Sequence, residues 1–96
     1  MTLNRYKFVV LNPSDNVAVA LEEIPENETI YLTKETGIKI KKTIEFGHKF
    51  SIKEIDKGDT VMKYGEVIGR SSQFIEAGEH VHVHNVEGNR GRGDQK

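Results

Sequence analysis

Apolar residues along this chain fall in short runs rather than in long stripes. Phe8 to Leu11 and Val17 to Leu21 are compact apolar runs separated by Asn12-Pro13-Ser14-Asp15-Asn16, residue types that cap or bend the backbone. They predict two strands joined by a loop. Thr29 to Leu32, Ile38 to Ile44, Lys49 to Ile55, Thr60 to Tyr64, Val67 to Ser71 and His80 to Val86 are each bounded by glycine, asparagine or aspartate and predict further strands. A turn is expected within Thr33 to Gly37, and a single helical turn at Ser71 to Phe74. No window sustains a helical stripe, so the pattern is that of an all-β chain.

A short theme recurs at the strand entries. It reads Ile24-Pro25-Glu26-Asn27-Glu28-Thr29-Ile30, Ile44-Glu45-Phe46-Gly47-His48-Lys49-Phe50, Ile55-Asp56-Lys57-Gly58-Asp59-Thr60-Val61 and Ile75-Glu76-Ala77-Gly78-Glu79-His80-Val81. The fourth position accepts only Gly or Asn, the residues that most readily take a left-handed backbone, which predicts a tight turn feeding directly into a strand. The repeat is architectural, and two of its copies deliver His48 and His80 to strand starts.

The densest chemistry is the alternation His80-Val81-His82-Val83-His84-Asn85. On an extended backbone Val81 and Val83 would face a core while the three imidazoles share the other side. Alternate Cα atoms lie about 6.5 Å apart, within reach of two imidazoles that converge on one ion. An exposed strand face that merely carries histidines is the competing reading, in which the rings titrate near neutral pH and repel one another once charged. Asn85 is expected to cap the local backbone or to orient His84. Lys63 and Tyr64, before the Gly65-Glu66 turn, are candidates for contacting substrate oxygens, although solvated side chains suit that place equally well.

Composition narrows the rest. At 96 residues the chain has room for one small domain, expected over 1–86, followed by a polar, glycine-rich tail over 87–96 that contains no apolar residue. No cysteine is present, which excludes disulfides, thiolate catalysis and cysteine zinc sites. The formal charge of −1 gives no general attraction for nucleic acid or an anionic membrane. The first apolar run is too brief for a signal peptide or membrane span, so a cytoplasmic location is expected.

The ordered series His48-Lys49-Phe50 after Gly47, Gly58-Asp59, Lys63-Tyr64-Gly65-Glu66, Ile68-Gly69, Ile75 to Gly78 and Glu79 to Asn85 resembles the SAF domain of altronate and galactarate dehydratases, also found as the small subunit of sulfolactate sulfo-lyase. The likeness runs from about Asn12 to Asp94. It implies a β-clip fold of long bent hairpins and a place in a sugar-acid lyase, with a separate large catalytic subunit as partner. It also implies a divalent metal, Fe(II) or Mn(II), with His82 and His84 as the preferred ligands, followed by His48 and His80. The tail would then dock on the partner or be the remnant of a linker, and a homo-oligomer is compatible with the sequence. A stand-alone module that binds a carbohydrate or a metal is the alternative, because a fold does not fix a function.

Overall fold

The computed structural model describes residues 5–82 and 84–88. They form nine strands: β1 (Phe8–Val9), β2 (Val17–Ala20), β3 (Thr29–Thr33), β4 (Thr36–Lys39), β5 (Lys49–Ser51), β6 (Thr60–Lys63), β7 (Glu66–Ser71), β8 (His80–Val81) and β9 (Val86–Gly88). All pairing is antiparallel, in a four-stranded sheet β1-β2-β5-β8, a two-stranded β3-β4 and a three-stranded β6-β7-β9. Among the described residues no helix is long and apolar enough to cross a membrane.

The isoleucine theme organises this arrangement. Ile24 and Ile44 exchange backbone hydrogen bonds in both directions at 2.8 Å, and Ile55 and Ile75 do the same at 2.9 Å. All four isoleucines are fully buried. The turn that follows each one has a left-handed residue, with φ of 75° at Asn27, 84° at Gly47, 89° at Gly58 and 91° at Gly78. Each of those residues donates its N–H to a strand-end carbonyl, on Ile40, Ala20, Ser71 and Ser51 respectively. The next residue's carbonyl accepts the N–H of that same partner, as in Ala20 to His48 and Ser51 to Glu79. Every turn is thereby clamped by a reciprocal pair of bonds, which satisfies backbone groups that would otherwise be costly to bury.

Contacts recur at a constant displacement of 31 residues: Ile24–Ile44 becomes Ile55–Ile75, and the Asn27–Ile40 and Gly47–Ala20 bonds become Gly58–Ser71 and Gly78–Ser51. The molecule is an internal duplication, and its two halves meet along the β2–β5 ladder (Val17↔Ser51, Ala18↔Phe50, Val19↔Lys49). Side chains alternate across that ladder into two cores. Ala18, Ala20 and Phe50 join Ile24, Ile30, Ile38, Ile40 and Ile44 on one face, whereas Val17 and Val81 join Ile55, Val61 and Ile75 on the other.

Several expectations from sequence need correction. The strands foreseen over Ile38 to Ile44 and Lys49 to Ile55 end at Lys39 and Ser51, because Ile44 and Ile55 pair as isolated bridges beyond a bend. Ser71 to Phe74 forms no helical turn; Ser71 closes β7 and the chain bends at the next two residues. The strand expected from His80 to Val86 is interrupted after Val81 by a turn and resumes as β9. Glu87 and Gly88, placed in the tail from sequence, pair with Arg70 and Gly69 in β9. The remainder of that tail, together with Val83, lies outside the described residues.

The duplication is broken at its turns. A Cβ at Gly78 would collide with the Lys39 carbonyl oxygen and lie 3.2 Å from Ile38 Cγ2, since Lys41 N–H donates to the Gly78 carbonyl and holds the end of β4 against that turn. A Cβ at Gly47 would meet nothing within 4 Å. Gly47→Ala should therefore cost only the left-handed backbone penalty of about 1–2 kcal/mol. Gly78→Ala should cost upwards of about 3 kcal/mol, as penalty and collision combine. Urea denaturation of the two variants checks this, and equal losses would contradict the asymmetry.

Candidate functional site

The reciprocal turns place His48 immediately before β5 and His80 at the start of β8. Because Lys49 pairs with Val81 and Phe50 with His80, the next step of the ladder sets His48 opposite His82. The imidazoles of His48, His80 and His82 therefore share one face of the sheet. Val81 faces the second core and is fully buried, as the alternation predicts.

His84 reaches the same place by a different route. Asn85 is fully buried; its side-chain oxygen accepts the His82 N–H at 2.9 Å and its amide nitrogen donates to the His80 carbonyl at 2.9 Å. The Asn85 N–H also donates to the His82 carbonyl at 3.0 Å. These bonds tie Asn85 to His80 and His82, and the turn at His84 and Asn85 returns His84 to the cluster. The local capping role expected for Asn85 is what positions the imidazoles.

His80 is the hub. Its ring centroid lies 5.1 Å from that of His48, 5.5 Å from His82 and 5.6 Å from His84, and His48 stands 5.8 Å from His82. His48 Nδ1 and His80 Nε2 are hydrogen bonded at 3.0 Å, one ring donating and the other accepting. Burial, reinforced by the His48, His84, His82 and Lys49 charges, holds the His80 imidazole below its ordinary pKa and so favours its neutral form. Glu45 Oε1 stands 3.9 Å from His48 Nε2 at the exposed rim.

The donor chemistry suits a first-row divalent ion, for which neutral imidazole nitrogen is a good ligand. Two cis ligands at about 2.1 Å from one ion sit about 3.0 Å apart, the separation of His48 Nδ1 and His80 Nε2. That contact is now a hydrogen bond, so the rings must turn to share an ion. Among the described residues no group of three histidine or carboxylate donors is arranged to hold one. The residues fit a metal as part of a ligand set.

Two cavities flank the cluster. One, of about 540 Å³, is lined by Lys41, Lys42, Thr43, Glu76, Glu79, His80 and His84, and its charges largely balance, with Lys41 Nζ 3.4 Å from Glu76 Oε1. The other, of about 260 Å³, is lined by Lys49, Ile68, Val81, His82, Val86 and Gly88 and carries no acid among the described residues. Lys49 was missed by sequence reasoning. It is half-buried, and burial, with the Lys63 charge second, lowers its pKa. Lys63 thus lies within electrostatic reach of the site. Tyr64 is exposed at the tip of the β6–β7 hairpin, where Asp15 Oδ2 and Oδ1 accept the Tyr64 and Gly65 N–H groups at 2.8 Å each. Neither Lys63 nor Tyr64 makes a hydrogen bond or ring contact with the imidazoles among the described residues.

Residues 6–89 match the family model of the altronate/galactarate dehydratase SAF domain, and the chain belongs to that family. The altronate dehydratases of Bacillus subtilis (strain 168) and Escherichia coli (strain K12) are 39% and 37% identical over 82 and 83 residues, 85% and 86% of this chain but 16% and 17% of theirs. The (2R)-sulfolactate sulfo-lyase subunit alpha of Chromohalobacter salexigens is 49% identical over 49 residues, 51% of this chain and 52% of that protein. The chain thus spans about a sixth of the dehydratases it matches and about half of the alpha subunit.

The depressed His80 pKa fixes a pH dependence. As pH falls from 6.5, the unfolded chain takes up a proton that the folded chain resists, so the contribution of a neutral His80 is present above that pH and is lost as pH falls through the folded-state value. In urea denaturation between pH 5 and 7, the stability of wild type relative to His80→Gln should rise with pH; a flat difference would remove the burial argument. Asn85→Ala leaves the part-buried His82 N–H and His80 carbonyl without their partners and should cost about 1–3 kcal/mol. Histidine ring resonances of that variant should also lose the mutual shifts of a packed cluster.

Proposed function

On that family membership, we propose that this chain is the small component of a metal-dependent lyase that eliminates water or sulfite from a sugar acid or a sulfonated hydroxy acid. Its partner is a larger lyase chain that completes the active site. The observation that supports this most is the convergence of four imidazoles, brought from two chain segments by rigid turns, at one edge of the sheet. The small-component reading draws on the 49% identity to a protein named as an alpha subunit.

Such an elimination removes a weakly acidic proton beside a carboxylate while a poor leaving group departs. An Fe(II) or Mn(II) ion would supply Lewis acidity toward both oxygens. His48 and His80 are the first two ligands in this reading, since their nitrogens already stand at a cis spacing. His82 and His84, more exposed, provide further nitrogens on the side where substrate and partner approach. Burial keeps His80 neutral, so its lone pair stays available near pH 7. Lys63 offers a cation for substrate oxygens, and Asn85 holds the turn that carries His82 and His84.

The test is co-purification followed by metal analysis and turnover of altronate and sulfolactate. The expected result is a stable complex with a larger chain that contains Fe or Mn. In that complex His48→Ala with His80→Ala should abolish bound metal and lower turnover by more than about 100-fold, since loss of a mere outer partner costs about 10–100-fold. A chain that stays alone, or a complex whose metal content survives the double variant, would contradict the proposal.

A further inference from the structure

Lys49 is a half-buried cation that has no hydrogen-bond or ion-pair partner among the described residues. It extends from the face of β5 opposite to His48, pairs across the ladder with Val81 and lines the cavity of about 260 Å³. Lys63 is close enough to act on it electrostatically, and His82 closes the rim on the side of the imidazole cluster. Among the described residues no carboxylate lines this cavity, whereas the larger one beside Lys41 contains Glu76 and Glu79 and a formed Lys41–Glu76 pair. An uncompensated ammonium in a partly desolvated recess demands an anion, because leaving it unpaired is costly.

The remaining walls define which anion. Ile68, Val81 and Val86 offer no hydrogen bonds, and Gly69 is kept free of a side chain because a Cβ there would collide with Glu87 and Val86 of β9. This packing fixes β9 against β7 and makes the apolar wall rigid. A polyhydroxylated chain laid along it would bury hydroxyls without partners, whereas an oxyanion carried on a methylene would not. The volume lies below the roughly 300–1,000 Å³ of sites for larger ligands, which suits one end of a short acid.

We propose that this cavity binds the anionic end of the substrate through Lys49, and that its apolar wall selects a short sulfonated hydroxy acid over a six-carbon polyhydroxy acid. The inference rests on the lyase reading for the identity of the ligand, and it adds the contact residue and the substrate preference. His82, which lines the same cavity, lies between the bound anion and the imidazole cluster.

The test uses the full chain, labelled with ¹⁵N and kept in EDTA, titrated with (2R)-sulfolactate, D-altronate and inorganic sulfate. Sulfolactate should shift the amides of Lys49, Ile68 and Val86 and bind at least 5-fold more tightly than altronate. Lys49→Met should weaken it at least 10-fold while the spectrum stays dispersed, Lys49→Arg should restore most of the affinity, and Lys41→Met with Lys42→Met should change nothing. Equal binding by Lys49→Met and wild type, altronate binding as tight as sulfolactate, shifts centred on Lys41 to Thr43, or no binding of either acid would each overturn the inference. The titration needs neither metal nor partner, so it stands apart from the lyase reading. Binding through Lys49 without any lyase complex would sink that reading alone, and an active complex whose KM ignores Lys49→Met would sink this inference alone.

Discussion

Reciprocal backbone pairing at the four turns is the constraint on which the rest depends. A small all-β chain has no helices to satisfy its peptide groups internally, so every buried N–H and carbonyl near a chain reversal needs a partner from another segment. Here the turn residue with positive φ donates to a strand end, and the following carbonyl accepts from the same residue. Position is thereby fixed in both directions. His48 and Glu79 are the residues whose carbonyls close two of these clamps, so His48 is bound to β2 and His80 is the first residue released from a clamp into β8. His48 and His80 therefore project from backbone that these clamps hold in place.

The internal duplication explains where chemistry could be added. At equivalent points of the four-stranded sheet, Val9 pairs with Val19 at one end and His80 with Phe50 at the other. The displacement of 31 residues sets His48 against Val17 and Lys49 against Ala18. One half keeps apolar side chains and contributes to the cores, while the other carries imidazoles and an ammonium at matching backbone positions. Breaking the symmetry required new packing: β9 covers β7, and the end of β4 covers the Gly78 turn, leaving the Gly47 turn open beside Phe46, which is 70% exposed.

Much of this was legible in the sequence because the signals were local. Gly or Asn at the fourth position of each repeat predicts a left-handed residue, and Asn27, Gly47, Gly58 and Gly78 have it. Val81 is buried because strand alternation is a property of two or three residues. His84 was placed beside His82 and His80 by extending that alternation, but it arrives there through a turn held by the Asn85 side chain, a tertiary device that periodicity does not reveal. The same holds for Lys49, whose surroundings can be seen only once Ile68 of β7 and Val86 of β9 are assembled around it, with no carboxylate among the described residues of that cavity.

The electrostatics of the site follow from crowding like groups. His80 stands at the centre, with its centroid 5.1 to 5.6 Å from those of the other three rings, and its protonated form is disfavoured first by burial and then by the charges of those rings and of Lys49. An apolar cluster of the same size would pack without this tension, and a cluster of lysines would remain charged and dissociate. Histidine is the side chain that can be neutral at pH 7, accept a neighbour's hydrogen bond and still present a lone pair. The His48–His80 hydrogen bond spends one such lone pair on a proton. An ion taking the place of that proton would require both rings to turn toward it from backbone that stays fixed, and for this reason the turns that hold the backbone matter as much as the rings themselves.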